Sequence, residues 1–315
     1  MVDWASDRLL LFGAAIAVDL LAGEPPPALH PVVWIGKATR LFVRLVPRSS
    51  RWTELIGGGC AALLIPAGFA LGAAELLAET PWRWAQFAAG VWLLKSTFAL
   101  GALREAIYAV RDALFRNELA EARQALRSLC SRDSSHLDPQ AVAAAAIESA
   151  AENASDSLIA PLFYYVLLGV PGAVFYRAVN TLDAMIGYRG TYEYLGKAAA
   201  RLDDLCNLLP ARLTAWLLLL SGRIAGGDWR DGWRMARRDH GRTESPNAGW
   251  PMAAMAGLLR VRLEKAGHYA LGDAREELTV SKIDEAWRMV AVTSLIACGM
   301  TAALLGMRHV ARAIG

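Results

Sequence analysis

Two apolar runs, Gly57–Ala78 and Trp84–Leu103, follow one another with only Glu79 to Arg83 between them. A helix rises about 1.5 Å per residue, so each run is long enough to cross a hydrocarbon core about 30 Å thick. Together they read as a transmembrane hairpin. Inside lipid every backbone N–H and C=O must be satisfied by the segment itself or by a closed barrel, and unbroken apolar runs of this length select the helix. Lys95 lies within the second run, in G-V-W-L-L-K-S, which imitates part of a phosphate-binding loop. The imitation fails, because Leu94 stands where such a loop needs Gly and no strand precedes it. Lys95 still needs a partner or a snorkelling route, which makes it a functional candidate.

The remaining composition agrees with a membrane protein that carries sizeable aqueous segments. The chain has 315 residues, 55% of them hydrophobic and 20% charged, with a positive mean hydropathy. The expected fold is all-α, a polytopic integral membrane helical protein forming one membrane-embedded domain over residues 1–315, with polar helical segments at about 104–157 and 223–288. The formal net charge of +3 is small and the bases are scattered among acids, which argues against nucleic acid as a partner. Eleven Trp suit bilayer interfaces, and the lipid bilayer is the expected environment. Cys60, Cys130, Cys206 and Cys298 form no CxxC pair, so neither a zinc site nor a disulfide framework is indicated. Asp3 and Asp7 stand where a signal peptide would be basic, so a removed leader is not expected.

Along the chain, Leu9–Leu21 is a short apolar run with Asp19 near its end, a short span or a buried helix. Gly23–Gly36 follows, where Pro25, Pro26, Pro27 and Pro31 predict an extended loop that holds His30 in place. Lys37, Arg40, Arg44, Arg48 and Arg51 then form a basic loop that the positive-inside rule places in the cytoplasm. From Arg104 to Asn153 the pattern is polar and helical. Asn117 is expected to cap a helix running through Leu129, and Asp138-Pro139 is a helix start. Leu158–Leu182 is apolar but broken by G-V-P-G at Gly169–Gly172, giving either one kinked span or a re-entrant pair of half-helices. A further span is expected from near Leu205 to Ser221, interrupted at Pro210. Asp239–Pro251 reads as a loop, with Pro251 opening the next helix, and Met289–Met307 is a last span.

Candidate chemistry centres on A-I-E-S-A-A-E-N-A-S-D-S-L-I-A-P, Ala146–Pro161. Helical spacing puts Glu148, Glu152 and Asp156 on one face with Ser149 and Asn153 beside them. Stacked carboxylates repel, so the stripe points to a cation or a cationic ligand, against the plain alternative of a solvated acidic face. Asn180 with Asp183, and Asp204 with Asn207, form further polar pairs at helical spacing. The loop holding His240, Arg242, Glu244, Ser245 and Asn247 is a candidate to close over a ligand.

These segments resemble the CobD/CbiB family of membrane proteins, the adenosylcobinamide-phosphate synthases of cobalamin biosynthesis. The resemblance rests on G-E-P-P-P-A-L-H-P-V-V-W-I-G, E-S-A-A-E-N-A-S-D-S-L-I-A-P-L-F, Y-R-A-V-N-T-L-D-A-M-I-G-Y, R-L-D-D-L-C-N-L-L-P-A-R and S-P-N-A-G-W-P, in that order across nearly the whole chain. It implies an ATP-dependent carbon–nitrogen ligase that joins the free propionate of adenosylcobyric acid to (R)-1-aminopropan-2-ol phosphate or ethanolamine phosphate. ATP and Mg²⁺ are the implied cofactors. Glu148, Glu152, Asp156 and Asp183 are then the catalytic candidates, and Glu152, Asp156, Asp203 and Asp204 the metal candidates. His30, Asn153, Asn180, Lys197, Arg201, Arg212, Ser245 and Asn247 are the candidates for substrate or phosphate.

The resemblance also implies a multi-pass protein of the inner cytoplasmic membrane, with its active site facing the cytoplasm and an association with other cobalamin-pathway enzymes. The competing readings are a membrane corrinoid transporter and a regulatory membrane protein related to the family. Single crossings at Leu158–Leu182 and Leu205–Ser221 would put Asp183 on the opposite side from the acidic stripe. A re-entrant pair would return it.

Overall fold

The computed structural model describes residues 8–130, 132–188 and 190–314, so Asp3 and Asp7 lie outside it. In chain order the helices are α1 (Arg8–Ala22), α2 (Pro31–Leu45), α3 (Arg51–Glu79), α4 (Arg83–Lys95), α5 (Leu100–Phe115), α6 (Leu119–Leu126) and α7 (Pro139–Ala154). A π-helical turn, Ser155–Ile159, leads into α8 (Ala160–Leu168), α9 (Val170–Ile186), α10 (Lys197–Cys206) and α11 (Leu208–Ala225). Then come α12 (Trp229–Asp239), α13 (Gly249–Leu258) and α14 (Ser281–Ile314). A two-stranded antiparallel hairpin, β1 (Leu263–Lys265) and β2 (Tyr269–Leu271), is the one sheet among the described residues. The protein is all-α apart from it.

Among the described residues, four helical stretches are long and apolar enough to cross a membrane: Arg51–Glu79, Arg83–Phe115, Leu208–Ala225 and Ser281–Arg308. The fold is that of a polytopic helical membrane protein. The second stretch is interrupted, because α4 ends at Lys95 and α5 begins at Leu100. The expected break at Pro210 does not occur: α11 starts at Leu208, so Pro210 sits in the first turn, where no intrahelical N–H is lost. The interruption falls at Asn207 instead.

Other expectations are corrected by similar local physics. Pro31 opens α2 at its first position, with His30 as the N-cap, so the extended loop is shorter than the prolines alone suggested. Asn117 does not cap α6. It follows α5 in a left-handed conformation (φ 61°), and Glu118 is the N-cap. Asp138 caps α7 as expected, accepting from the Ala141 N–H at 2.7 Å, with Pro139 at the first position. Pro251 lies two residues inside α13, which begins at Gly249.

Compact packing divides the chain into two units. The first comprises Met1–Ala99, Ala160–Asn207 and Met300–Gly315, and the second Leu100–Ile159 and Leu208–Gly299. In the first unit α3 packs on α9 and α10, with α2 on α9, around Ile35, Ala61, Ile65, Leu182 and Ile186. A Cβ at Gly58 would overlap the Leu195 carbonyl, so only glycine lets that backbone approach α3. At Gly169 the chain reverses with φ +74°, and α9 folds back along α8. The rings of Tyr164 and Tyr176 stack across this turn at 5.3 Å. The segment 158–182 is therefore a hairpin of short helices rather than one kinked rod.

In the second unit α7 is the central helix. Its alanine run, with Val142 and Ile147, is buried on nearly every side, and α5, α6 and α13 pack on it. Alanine supplies strong helix propensity and no bulk, so neighbouring backbones come close. α11, α12 and α13 pack together beside it, and the Thr293 hydroxyl bonds Ser221 at 2.8 Å to tie α14 to α11.

Candidate functional site

The acidic stripe begins in a desolvated place. Glu148 is only 1% exposed, and its carboxylate is held by a short ion pair with Arg132, whose side chain is 15% exposed. The hairpin packs on α7 and brings Tyr269 and Lys265 close enough for both to act on the Glu148 carboxylate. Burial pushes the Glu148 pKa up more strongly than the Arg132 charge pulls it down. One of its oxygens, Oε1, is buried without a hydrogen-bond partner among the described residues. A helix selected only for stability would not bury an acid in its most apolar stretch.

Further along, the stripe is not the straight row that helical spacing predicts. The π turn over Ser155–Ile159 widens the spiral between Glu152 and Asp156 and moves Asp156 round the axis. Glu152, Asn153 and Asp156 are half-buried. The Asn153 amide donates to the Ser149 carbonyl at 2.9 Å, and its oxygen accepts from Ser157 at 3.2 Å. Burial pushes the Tyr269 phenol up, with the charges of Glu148 and Glu152 adding to the shift. Glu148, Glu152, Arg132 and Tyr269 thus share one electrostatic neighbourhood within the second unit.

The S-P-N-A-G-W-P segment builds a second feature of this unit. Arg212 donates to Asn247 Oδ1 at 2.7 Å, and its guanidinium lies over the Trp250 ring at 5.3 Å. His240 stacks on the same ring at 4.0 Å. The Trp250 Nε1–H has no hydrogen-bond partner among the described residues. Ser245 serves its own loop, accepting from the Asn247 N–H at 3.2 Å. Close by, Asp239 is fully buried (0% exposed) and receives both arms of Arg238, at 2.7 and 2.8 Å, and the Gly272 N–H at 2.8 Å. Burial raises the Asp239 pKa, but these donors outweigh it and hold the group below the usual carboxylate range.

The other expected residues lie in the first unit. Asp203 accepts from Asn207 at 2.9 Å and from Asn180 at 3.5 Å, and Asn207 accepts from the Tyr176 hydroxyl at 2.9 Å. Asn207 thus pairs with Asp203, one turn back. Burial drives the Asp203 carboxyl up to about 6, opposed by the two amides and reinforced by Asp204. Asp204 faces Arg201 at 3.9 Å. Lys197 and Arg201 are exposed. Asp183 folds over Gly187, where a side chain would collide with its carboxylate, and the Gly187 N–H donates to the Asp183 carbonyl at 2.7 Å.

Lys95 has its partners in the same unit. Its ammonium, 1% exposed, lies 2.8 Å from Asp19 and 2.6 Å from Glu24. His30 caps α2 through Nδ1 and meets Glu24 through Nε2 at 3.0 Å. Burial raises the Glu24 pKa, but His30 and Lys95 together hold it below its ordinary value. Sequence spacing could not pair residues 71 apart. The signal was the intramembrane charge itself.

The expected site residues thus fall into two sets. Glu148, Glu152, Asn153, Asp156, Arg212, Ser245 and Asn247 belong to the second unit, and His30, Asn180, Asp183, Lys197, Arg201, Asp203 and Asp204 to the first. Among the described residues no three His, Cys, Asp or Glu side chains converge as a protein-built metal cage requires. Mg²⁺ bound through nucleotide phosphates needs only one or two carboxylates. The donor chemistry of Glu152 with Asp156, and of Asp203 with Asp204, fits that requirement.

Fold and site define the class: a polytopic helical membrane protein with buried, charge-paired carboxylates on its non-spanning helices. The family model described as CobD/Cbib protein matches residues 12–296. A cobalamin biosynthesis protein CobD of Dehalococcoides mccartyi is 43% identical over 84% of this chain and 87% of its own length. Klebsiella pneumoniae CobD is 36% identical over 96% and 98%, and Salmonella typhimurium cobalamin biosynthesis protein CbiB is 36% identical over 96% and 99%. No solved structure matches. The chain belongs to the CobD/CbiB family.

Proposed function

We propose that this protein acts in cobalamin biosynthesis as an ATP-dependent amide ligase, joining the free propionate of adenosylcobyric acid to (R)-1-aminopropan-2-ol phosphate or ethanolamine phosphate. The observation that carries the reading is the treatment of the acidic stripe. Its first member is buried against Arg132 beside a polar hairpin, and its next members are half-buried. That arrangement suits chemistry with an amine and a phosphate better than it suits folding. The names of the relatives, cobalamin biosynthesis proteins, support the pathway.

A carboxylate does not condense with an amine unaided. ATP supplies activation by phosphoryl transfer to the carboxylate, after which the amine nitrogen forms the C–N bond and phosphate leaves. The attacking ammonium must lose one proton before attack and a second afterwards, so a carboxylate near the amine is required. Glu152 and Asp156 are suited to accept those protons. Arg132 fixes Glu148 and keeps its side of α7 from carrying uncompensated negative charge. Mg²⁺ would neutralise phosphate charge, with Glu152 and Asp156 or Asp203 and Asp204 as its protein ligands. Arg212, held by Asn247 and Trp250, presents a preorganised cation of the kind that binds phosphate.

Adding hydroxylamine in place of the amine tests the activated-carboxylate step. It should yield a corrinoid hydroxamate only when ATP is present. An active preparation that gives none refutes that step.

A further inference from the structure

The second unit contains a cleft of about 640 Å³ between the hairpin and the segment that enters α7, a size suited to a small ligand. Its lining mixes both signs of charge. Arg132, Arg262 and Lys265 are set against five carboxylates, among them Glu264, Glu276 and Glu277. Most of these charges are already engaged. Arg132 pairs with Glu148, Arg262 with Glu264 at 2.9 Å, and Glu276 with Lys282 at 2.7 Å. Asp133 accepts from the Ser135 N–H and Asp138 caps α7. Lys265 and Glu277 remain, each lining the cleft with no side-chain hydrogen bond or ion pair among the described residues.

The position of Lys265 is fixed by its surroundings. It ends β1, paired with Tyr269, and Leu263 and Leu271 are both 0% exposed, anchoring the hairpin from beneath. Gly267 supplies the left-handed turn residue at φ 76°. Lys265 is near enough to Glu148 to feel its charge, so the cleft adjoins the acidic stripe within one unit. The excess of carboxylates opposes a polyanion such as a nucleotide, and among the described residues no Phe, Tyr or Trp lines the cleft to stack on a base. A molecule with one phosphate and one ammonium matches it, because each end meets an opposite charge that no ion pair among the described residues holds.

We propose that this cleft binds the amino-alcohol phosphate, with Lys265 holding its phosphate and Glu277 its ammonium; the identity of the substrate rests on the ligase reading above. Calorimetric titration of the purified full chain in detergent tests it, with ethanolamine phosphate, inorganic phosphate and Mg-ATP as probes. Ethanolamine phosphate should bind, and Lys265→Ala should weaken it about tenfold or more, or about 1.4 kcal/mol. Lys265→Arg should retain binding, which separates loss of charge from loss of fold. Glu277→Gln should weaken ethanolamine phosphate while leaving inorganic phosphate unchanged.

The proposal is overturned if ethanolamine phosphate does not bind the folded wild type at millimolar concentration, or if neither variant changes its affinity. It is equally overturned if Lys265→Ala affects Mg-ATP alone. Amide formation by Lys265→Ala with an unchanged KM for the phosphate would sink the cleft and leave the ligase reading standing. Binding that the variants abolish, in a protein that makes no amide, would sink the ligase reading and leave the cleft.

Discussion

Removing Arg132 should do more harm than removing the carboxylate it serves. In Arg132→Met, Glu148 stays 2% exposed in its side chain and loses its ion-pair partner, leaving only the weaker influence of Lys265. Breaking a buried pair in this way costs about 3–5 kcal/mol. In Glu148→Gln the orphan is Arg132, which at 15% exposure can turn to the water of the cleft, so the loss should be about 1–2 kcal/mol. For a unit of this size each kcal/mol moves the midpoint by about 2–4 °C, which gives a fall of about 6–20 °C for Arg132→Met. The pH dependence separates this cause from simple misfolding. Burial raises the pKa of Glu148 in the folded protein, so folding disfavours its ionised form relative to the unfolded chain. The associated stability is fully present below the unfolded carboxyl pKa and is lost as pH rises through the folded one. Without Arg132 the folded value rises further, so Arg132→Met should recover part of its midpoint on acidification. Thermal unfolding of both variants in detergent across pH 4.5–8, a window about the usual carboxylate range, reads this out. Equal losses without a difference in pH dependence would rule out a buried, unpaired Glu148 as their cause.

Further outcomes follow from the same structure. Gly58→Ala must displace the Leu195 carbonyl, a rigid backbone group, and should destabilise by about 1–3 kcal/mol, seen as a lower unfolding midpoint. Asn247→Ala frees Arg212 from its 2.7 Å bond and should cost activity with little change in midpoint; Arg212→Lys, which cannot reproduce the planar contact over Trp250, should behave alike. The Asp203 carboxyl, at about 6, is mostly protonated below that pH. Any Mg²⁺ dependence that passes through Asp203 should therefore weaken as pH falls through about 6 and lose that dependence in Asp203→Asn. Lys95→Met leaves Asp19 and Glu24 facing each other without their shared cation, and should lower the yield of folded protein more than Lys95→Arg does.

Much of this architecture can be read from the chain because its strongest signals are local. Apolar length marks the spans, Asp138-Pro139 starts α7, and Gly169 breaks the 158–182 segment where the sequence places the break. Signals that depend on tertiary partners are different. The Lys95 pair with Asp19 and Glu24, and the Arg132 pair with Glu148, join residues with no helical spacing between them. The π turn after Ala154 bends a row that regular periodicity draws straight. Asp203 takes Asn207 because they lie one turn apart on the same face, whereas Asp204 turns towards Arg201. The hairpin that brings Lys265 and Tyr269 to α7 is too short to give a strand pattern.

Amide synthesis itself can be assayed in a single reaction. Purified protein is incubated with adenosylcobyric acid, ethanolamine phosphate or its aminopropanol counterpart, and Mg-ATP, and the corrinoid is analysed by mass. A new amide should form that requires all three components and is lost in Glu152→Gln of normal thermal stability. A folded preparation that forms no amide, yet moves labelled corrinoid across a sealed vesicle, would contradict the ligase reading.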